Sequence, residues 1–408
     1  MTNNNHLKKL DTTNGLVIIP FGFPWDWVCD FEKQTALQLA KKNIVIAFFP
    51  FYGITLKMWG LSKSLRFTYR ASRNIIVFKP LYIIPFPTIP LLHWLNQYIA
   101  LIELKIWIKN HYDDKKKILW MFPYQLFPKP DSYGNDFLKV YDCIDFLPPE
   151  HQKDELSVVK QSDVIFTNSS VLYKQKKRFH PNIYSVPLGF DDGSFTKNSI
   201  RQNIFRFRNI PKPWIVYAGN INERLDYNFL EIVIKNLPSA SFLFIGPLVE
   251  GKYSKQVKLS FKTLLAHPNV YHVGKIPRNQ LGFVYKNARV GLIPYDTSSL
   301  FNKYSYPMKI MEYFLHGLAV VATKIDELQK FKSYIDIVET PEEAVQKIRV
   351  RLKRGVSNKY KKWAHRIAME NTWEKKVHAE MKILASQFKY TNFGWKKMAT
   401  VEGIRSKL

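Results

Sequence analysis

Lys309 and Glu312 lie about one helical turn apart in the stretch 304–323, YSYPMKIMEYFLHGLAVVAT, a spacing that brings an ammonium and a carboxylate onto one helix face. Pro307 suits the first turn of that helix, where a missing N–H costs nothing, and Gly317 suits its end. A short buried strand at 319–323 should follow. The unpaired N–H groups of the first turn, together with Lys309, would receive a phosphate. Glu312 would accept hydrogen bonds from a ribose diol. The same pair is also the pattern of an ordinary surface salt bridge, so its place in the fold must decide.

A second set of donors lies in YAGNINERLD, 217–226. Gly219 lets a ligand approach the backbone, and Asn220 and Arg224 offer donors in a strand-to-helix turn. Alone, this is the signature of any turn. Its weight comes from other turns of the same kind: Gly246-Pro247, 274–277, Pro294-Tyr295 and 306–309 each follow a strand and precede a helix. In a parallel sheet such turns share one edge, where ligands of these folds bind. No GxGxxG follows the strand at 214 and no GxxxxGK[ST] occurs, so neither a standard dinucleotide dehydrogenase nor a P-loop NTPase is supported.

The elements that must position these turns form two β-α series. The first has strands at 16–20, 44–48, 75–78, 118–122, 138–141 and 164–167, with helices at 28–41, 91–110 and 154–161. A basic, less regular stretch separates the second and third strands. VPLGFDDGSF at 186–195, then a basic segment ending at Pro213, reads as a connection between domains. The second series has strands at 214–218, 241–245, 270–273, 290–294, 319–323 and 335–338. The chain then turns helical and basic. The expected division is an N-terminal domain at 1–208, a C-terminal domain at 209–372, and a helix and basic tail at 373–408. The fold class is α/β, with two Rossmann-like domains.

The 408 residues are enough for two cores, and 46% hydrophobic with 23% charged is the composition of a folded protein. Lys+Arg 61 against Asp+Glu 33 leaves +28, which points to an anionic partner: nucleic acid, an anionic membrane face or a phosphorylated small molecule. The cysteines, Cys29 and Cys143, have no metal-ligand spacing, so a reducing, cytoplasmic setting and no zinc site are expected. The apolar region 81–108 is interrupted by Pro85, Pro87 and Pro90 and by polar side chains, so no transmembrane helix is expected. Helix 91–110 reads first as a core helix. Its Trp94, Tyr98 and Trp107, with basic stretches at 57–73 and 174–178, also fit an anionic membrane surface.

The order of FPWDWVCDFEKQTALQLAKK, VYDCIDFLPPEH, SDVIFTNSSVLYKQK, PLGFDDGSF, YAGNINERLD, FLFIGP, VGKIP, ARVGLIPY and YPMKIMEYFLHGLAVVAT resembles the GT-B glycosyltransferases, the bacterial glycosyltransferase 4-like group that uses nucleotide sugars. The resemblance covers most of the chain from 20 to about 340. It implies two facing Rossmann-like domains with an interdomain cleft. The C-terminal domain would bind a nucleoside diphosphate sugar, UDP- or GDP-linked, and the N-terminal domain a polysaccharide or lipid-linked glycan acceptor. By position, Glu312 matches the ribose-binding acid, Met308 and Lys309 lie where backbone and lysine meet the diphosphate, and Asn220 and Arg224 would face the diphosphate. Tyr295 and the turn containing Ile276 fall where base or sugar packs. The final helix, 373–388, commonly crosses back to the first domain.

Tyr304 departs from the pattern, standing where many relatives place an acid for the donor sugar. The pattern is closer to exopolysaccharide-type glucuronosyltransferases, which keep a Met-Lys pair before the helix. A base for the acceptor hydroxyl is expected at Asp145, Asp142 or Asp26. No Asp-x-Asp signal stands out, and the fold generally needs no metal, so metal-independent hexosyl transfer without a cofactor is expected. It would occur in the cytoplasm, peripherally at the inner face of the membrane. Two other classes fit parts of the sequence. A nucleic-acid-binding protein would share the charge but lacks a recognisable module, and a GT-B scaffold without activity would accommodate Tyr304.

Overall fold

The computed structural model describes residues 15–22, 25, 31–49, 68–80, 89–123, 128–193, 204–248, 254–391 and 394–398. The chain divides into two compact units, Met1–Pro187 with Trp373–Leu408, and Leu188–Thr372. The changeover falls at 187/188 rather than 208/209 because the backbone just beyond it is already held in the second unit. Phe190 N–H donates to the Asn371 carbonyl at 2.9 Å, and Asp191 lies 3.6 Å from Arg278.

In the first unit β1 (Leu16–Pro20), β2 (Ile44–Phe48), β3 (Thr68–Ser72), β4 (Ile75–Phe78), β5 (Lys117–Met121), β6 (Phe137–Cys143), β7 (Val164–Thr167) and β8 (Ile183–Ser185) form one sheet, in the order β3-β4-β2-β1-β5-β6-β7-β8. All pairings are parallel except β3 with β4. A parallel strand is covered on both faces, and β1 is accordingly buried at every position of LVIIP. Leu16 and Ile18, Ile46 and Phe48, and Leu119 and Met121 place alternate side chains in one apolar cluster. Ala100, Leu101, Leu104 and Ile108 of the helix Pro90–Tyr112 close that cluster. The core-helix expectation therefore holds for one face only. On the other, Leu91, Trp94, Ile102 and Ile106 are 64%, 43%, 55% and 57% exposed. Among the described residues no helix is long and apolar enough to cross a membrane.

Strand β6 runs past its expected end at 141, so that Asp142, expected just beyond the strand, lies within it. Asp142 pairs with Phe166 in the β6–β7 register, and its side chain is buried. Its Oδ2 accepts from Lys376 Nζ at 2.5 Å, and Glu380 accepts from the same ammonium. Both partners lie on the helix Trp373–Gln387, which packs in the first unit. A carboxylate so deep in a sheet is tolerable only with such a partner.

The second unit contains β9 (Trp214–Ala218), β10 (Ser241–Ile245), β11 (Val270–Gly274), β12 (Ala288–Ile293), β13 (Ala319–Thr323) and β14 (Asp336–Val338), all parallel, in the order β11-β10-β9-β12-β13-β14. This is the doubly wound 3-2-1-4-5-6 arrangement. Its helices start where capping dictates: Asp226 accepts from Phe229 N–H at 2.9 Å ahead of Tyr227–Lys235, and Thr340 from Glu343 N–H at 3.2 Å ahead of Pro341–Arg354. A two-stranded hairpin, β15 (Phe388–Thr391) with β16 (Gly394–Lys397), follows the C-terminal helix.

Candidate functional site

Strands β9 and β12 are neighbours in the second sheet, although the chain leaves β9 for β10 and β11 on one side before building β12, β13 and β14 on the other. The crevice at their carboxyl ends is where doubly wound sheets take ligands. Backbone contacts fix its rim. Gly219 N–H donates to Ile245 at 2.8 Å, and Gly246 N–H to Gly274 at 3.0 Å. Gly246 has φ +143°, and a Cβ there would stand 2.0 Å from the Gly219 carbonyl oxygen, so only glycine fits. Opposite, Leu225 bridges Tyr295, Asp226 N–H donates to Pro294, and Asp296 N–H donates to the Arg224 carbonyl, both at 2.9 Å.

Between these edges stand two cations. Lys309 Nζ donates to the Tyr295 hydroxyl at 2.6 Å and lies 4.2 Å and 4.5 Å from the ring centres of Tyr217 and Tyr295. The Arg224 guanidinium lies 4.3 Å from the Tyr295 ring and 4.9 Å from that of Phe301. It donates to Asn302 Oδ1 at 2.9 Å and to Ser305 Oγ at 3.1 Å. Among the described residues neither cation makes an ion pair with a carboxylate; both rest on aromatic faces and neutral oxygens. Burial lowers the pKa of Lys309, with Tyr295 acting in the opposite sense. Burial would raise the Tyr295 phenol, but the charges of Lys309 and Arg224 outweigh it and hold the phenol below its usual value. Gly219, at φ +148°, leaves the space open: a Cβ there would come within 3.2 Å of Lys309 Nζ.

Glu312 is not the partner of Lys309, which removes the surface-salt-bridge alternative. Its Oε1 accepts from Arg278 Nη2 at 3.0 Å and its Oε2 from the Tyr285 hydroxyl at 2.8 Å, with 9% of the side chain exposed. The helix carrying both residues runs Lys309–Leu315 with Met308 at its N-cap, so Pro307 sits ahead of the first turn rather than within it. Pro307 is buried, and Ile276 is buried in the turn after β11. The Asn220 side chain is exposed, while its carbonyl accepts from the Tyr217 hydroxyl at 2.8 Å. Tyr304 is half-buried, with Lys303 Nζ 5.8 Å from its ring centre.

The second unit thus brings Gly219, Arg224, Tyr295, Lys309 and Glu312 to one sheet edge. The three acids expected as base belong to the first chain segment. Asp142 is committed to Lys376, which removes it as an available base. Asp145 is half-buried just beyond β6, and Asp26 lies outside the described residues. Tyr217, Arg278 and Tyr285 complete the constellation without a sequence signal of their own, since a tyrosine in a strand and a charge at a helix start read as core and surface.

A family model described as glycosyl transferase-like matches residues 224–381, which hold Arg224, Arg278, Tyr285, Tyr295, Lys309 and Glu312. A Bacillus subtilis (strain 168) protein described as a teichuronic acid biosynthesis glycosyltransferase, TuaH, is 23% identical over 186 residues, 44% of this chain and 45% of that one. The match thus spans less than half of the relative's length. Among solved structures, an α,α-trehalose-phosphate synthase (UDP-forming) from Burkholderia vietnamiensis aligns over 91% of this chain and 97% of its own at 10% identity and TM-score 0.64. Anabaena Alr3699/HepE, in complex with UDP and glucose, aligns over 91% and 100% at 13% identity and TM-score 0.62. The chain has the GT-B fold, two Rossmann-like units in one polypeptide, as the sequence led us to expect. Within that fold, residues 224–381 are similar to the glycosyl transferase-like family.

Proposed function

We propose that the chain is a glycosyltransferase that moves a hexosyl group from a nucleoside diphosphate sugar to a glycan acceptor, with Lys309 and Arg224 receiving the diphosphate and Glu312 the ribose. The observation that carries this reading is the pair of cations on aromatic faces at the β9–β12 crevice, neither ion-paired with a carboxylate among the described residues. When the anomeric carbon–oxygen bond breaks, its electron pair goes to the diphosphate oxygen. Preplaced positive charge stabilises that developing anion. The acceptor oxygen forms the new bond and loses its proton to a base, for which Asp145 remains the best candidate. The two cations offer the charge compensation that some transferases take from a divalent ion, which supports metal independence. Activity lost to a chelator and restored by manganese would count against it.

A uridine donor is favoured over a guanosine donor, supported by the UDP in the HepE complex and by the UDP-forming synthase. The acceptor in this reading is a cell-surface polysaccharide or lipid-linked glycan; the description of TuaH, teichuronic acid biosynthesis, supports polysaccharide biosynthesis and goes no further. Calorimetric titration with UDP, GDP and their sugars tests the core of the reading. UDP should bind and raise the melting temperature, whereas silence towards every nucleotide would sink it.

Peripheral association with the inner face of the membrane is a second reading, favoured by the outer face of the helix Pro90–Tyr112. Leu91, Trp94, Ile102 and Ile106 lie along it, with exposed Lys105 and Lys109 beside Ile106. Burying half-exposed side chains of this size contributes about 1 kcal/mol each, and a basic residue near anionic lipid adds about 1 kcal/mol. Flotation with phosphatidylserine-containing vesicles should capture the protein at low salt, and Ile102→Asp with Ile106→Asp should release it. Equal capture of the double variant would refute this surface.

A further inference from the structure

Glu312 does not stand free to meet a ribose; the fold aims it. We propose that Arg278 is a positioning residue that sets the Glu312 carboxylate for recognition of the ribose diol, a role that rests on the donor site proposed above. A carboxylate has about four lone-pair positions. Arg278 takes one on Oε1 and Tyr285 takes one on Oε2, at 3.0 and 2.8 Å. Among the described residues one acceptor position therefore remains on each oxygen, a side-by-side pair that matches two vicinal hydroxyls.

Both holders are anchored. Arg278 Nη1 reaches Asp191 at 3.6 Å, so one guanidinium spans two carboxylates, and a lysine could not reproduce that fork. Tyr285 is fully buried, its ring edge-on to Tyr313 at 5.4 Å between centres. Tyr313 in turn donates towards the carbonyls of Val216 in β9 and Leu292 in β12, each at 3.3 Å, so the chain of contacts ends on the two strands that form the crevice. Burial, reinforced by Glu312, raises the Tyr285 phenol and keeps it a donor.

Arg278 is unfavourable to the helix that carries it. It is the first residue of the helix Arg278–Asn287, where the partial positive end of the helix disfavours a cation. Its place there is explained by Glu312 and Asp191, not by helix stability.

The test is calorimetric titration of the full chain with UDP and with 2′-deoxy-UDP. The unmodified protein should prefer the ribonucleotide. Arg278→Ala should lower UDP affinity by about tenfold, the order expected for a lost charged hydrogen bond, and reduce the ribose preference to within about twofold. Inorganic pyrophosphate, held by Lys309 and Arg224, should bind as before. Arg278→Lys should recover only part of the preference. Asp191→Asn leaves Glu312 and Arg278 in place and should weaken the preference in the same direction, which keeps the test available if Arg278→Ala does not fold. Unchanged ribose preference in the folded variants overturns the positioning role while leaving the donor site standing. Failure of the unmodified protein to bind UDP overturns the donor site and this role with it.

Discussion

Replacing Lys309 by Met separates a ligand-binding lysine from a structural one, because affinity and stability respond differently. The ammonium is enclosed by the Tyr217 and Tyr295 rings and keeps one neutral partner, the Tyr295 hydroxyl at 2.6 Å. Met has a similar length and no charge. It loses that hydrogen bond, about 1 kcal/mol, and relieves an ammonium that burial disfavours. The melting temperature of the nucleotide-free variant should therefore stay within about 3 °C of the unmodified protein. A charged hydrogen bond to phosphate is worth about 1.5–3 kcal/mol, so UDP affinity should fall roughly 10- to 150-fold. The pH dependence adds a third sign. With its folded pKa below the ordinary 10.5, Lys309 binds fewer protons in the folded than in the unfolded state over the window up to 10.5. Its contribution to stability thus rises with pH through that window, and Lys309→Met should lack the rise. Calorimetry with UDP and thermal melts at several pH values read all three. Unchanged UDP affinity combined with a melting temperature more than about 8 °C lower would make Lys309 a strut and refute the reasoning.

The first unit offers a pH prediction of opposite sign. Burial, outweighing the attraction of Lys376, pushes the Glu380 pKa up to about 8, so the folded state holds the extra proton between the ordinary 4.5 and about 8. Its contribution to stability is complete below 4.5 and declines as pH rises to about 8. Glu380→Gln should flatten that decline and melt higher than the unmodified protein at alkaline pH; identical melting profiles would disprove it. Gly246→Ala should cost at least about 3 kcal/mol or abolish UDP binding, since its Cβ would lie 2.0 Å from the Gly219 carbonyl oxygen; normal melting and normal binding together contradict this. Asp145→Asn should abolish turnover in a donor-and-acceptor assay while sparing UDP binding, and near-normal turnover removes Asp145 as the base.

The strands legible in the sequence are those whose sequence is a short apolar run, because a parallel strand must be apolar on both faces. β1, β2, β4 and β7 match their expected bounds. β3, TYRAS, was not legible: it is an exposed antiparallel edge strand with no apolar period to betray it. β8, only three residues long, is too short for a period to show. Asp142 looked like a strand end because a charge in a central strand is unfavourable until its partner is known, and that partner lies on the last helix. At the candidate site, Gly219, Arg224, Tyr295, Lys309 and Glu312 could be grouped because the end of each parallel strand lies on the same sheet edge. Arg278 and Tyr285 could not, because what distinguishes them is contact with Glu312, 34 and 27 residues away. The helix start was misplaced ahead of Met308 because proline favours a first turn without requiring one.

The Asp142–Lys376 pair also sets an order of manufacture. The two residues are 234 positions apart, and the whole second unit is synthesised between them. While a ribosome makes the chain, the first sheet can assemble its apolar strands, but Asp142 has no ammonium to accompany it into the interior until the last helix emerges. The second unit, continuous in sequence from Leu188 to Thr372, has no such wait. The part of the protein made first is therefore the part finished last, and a chain released at residue 372 would leave it holding an unanswered charge.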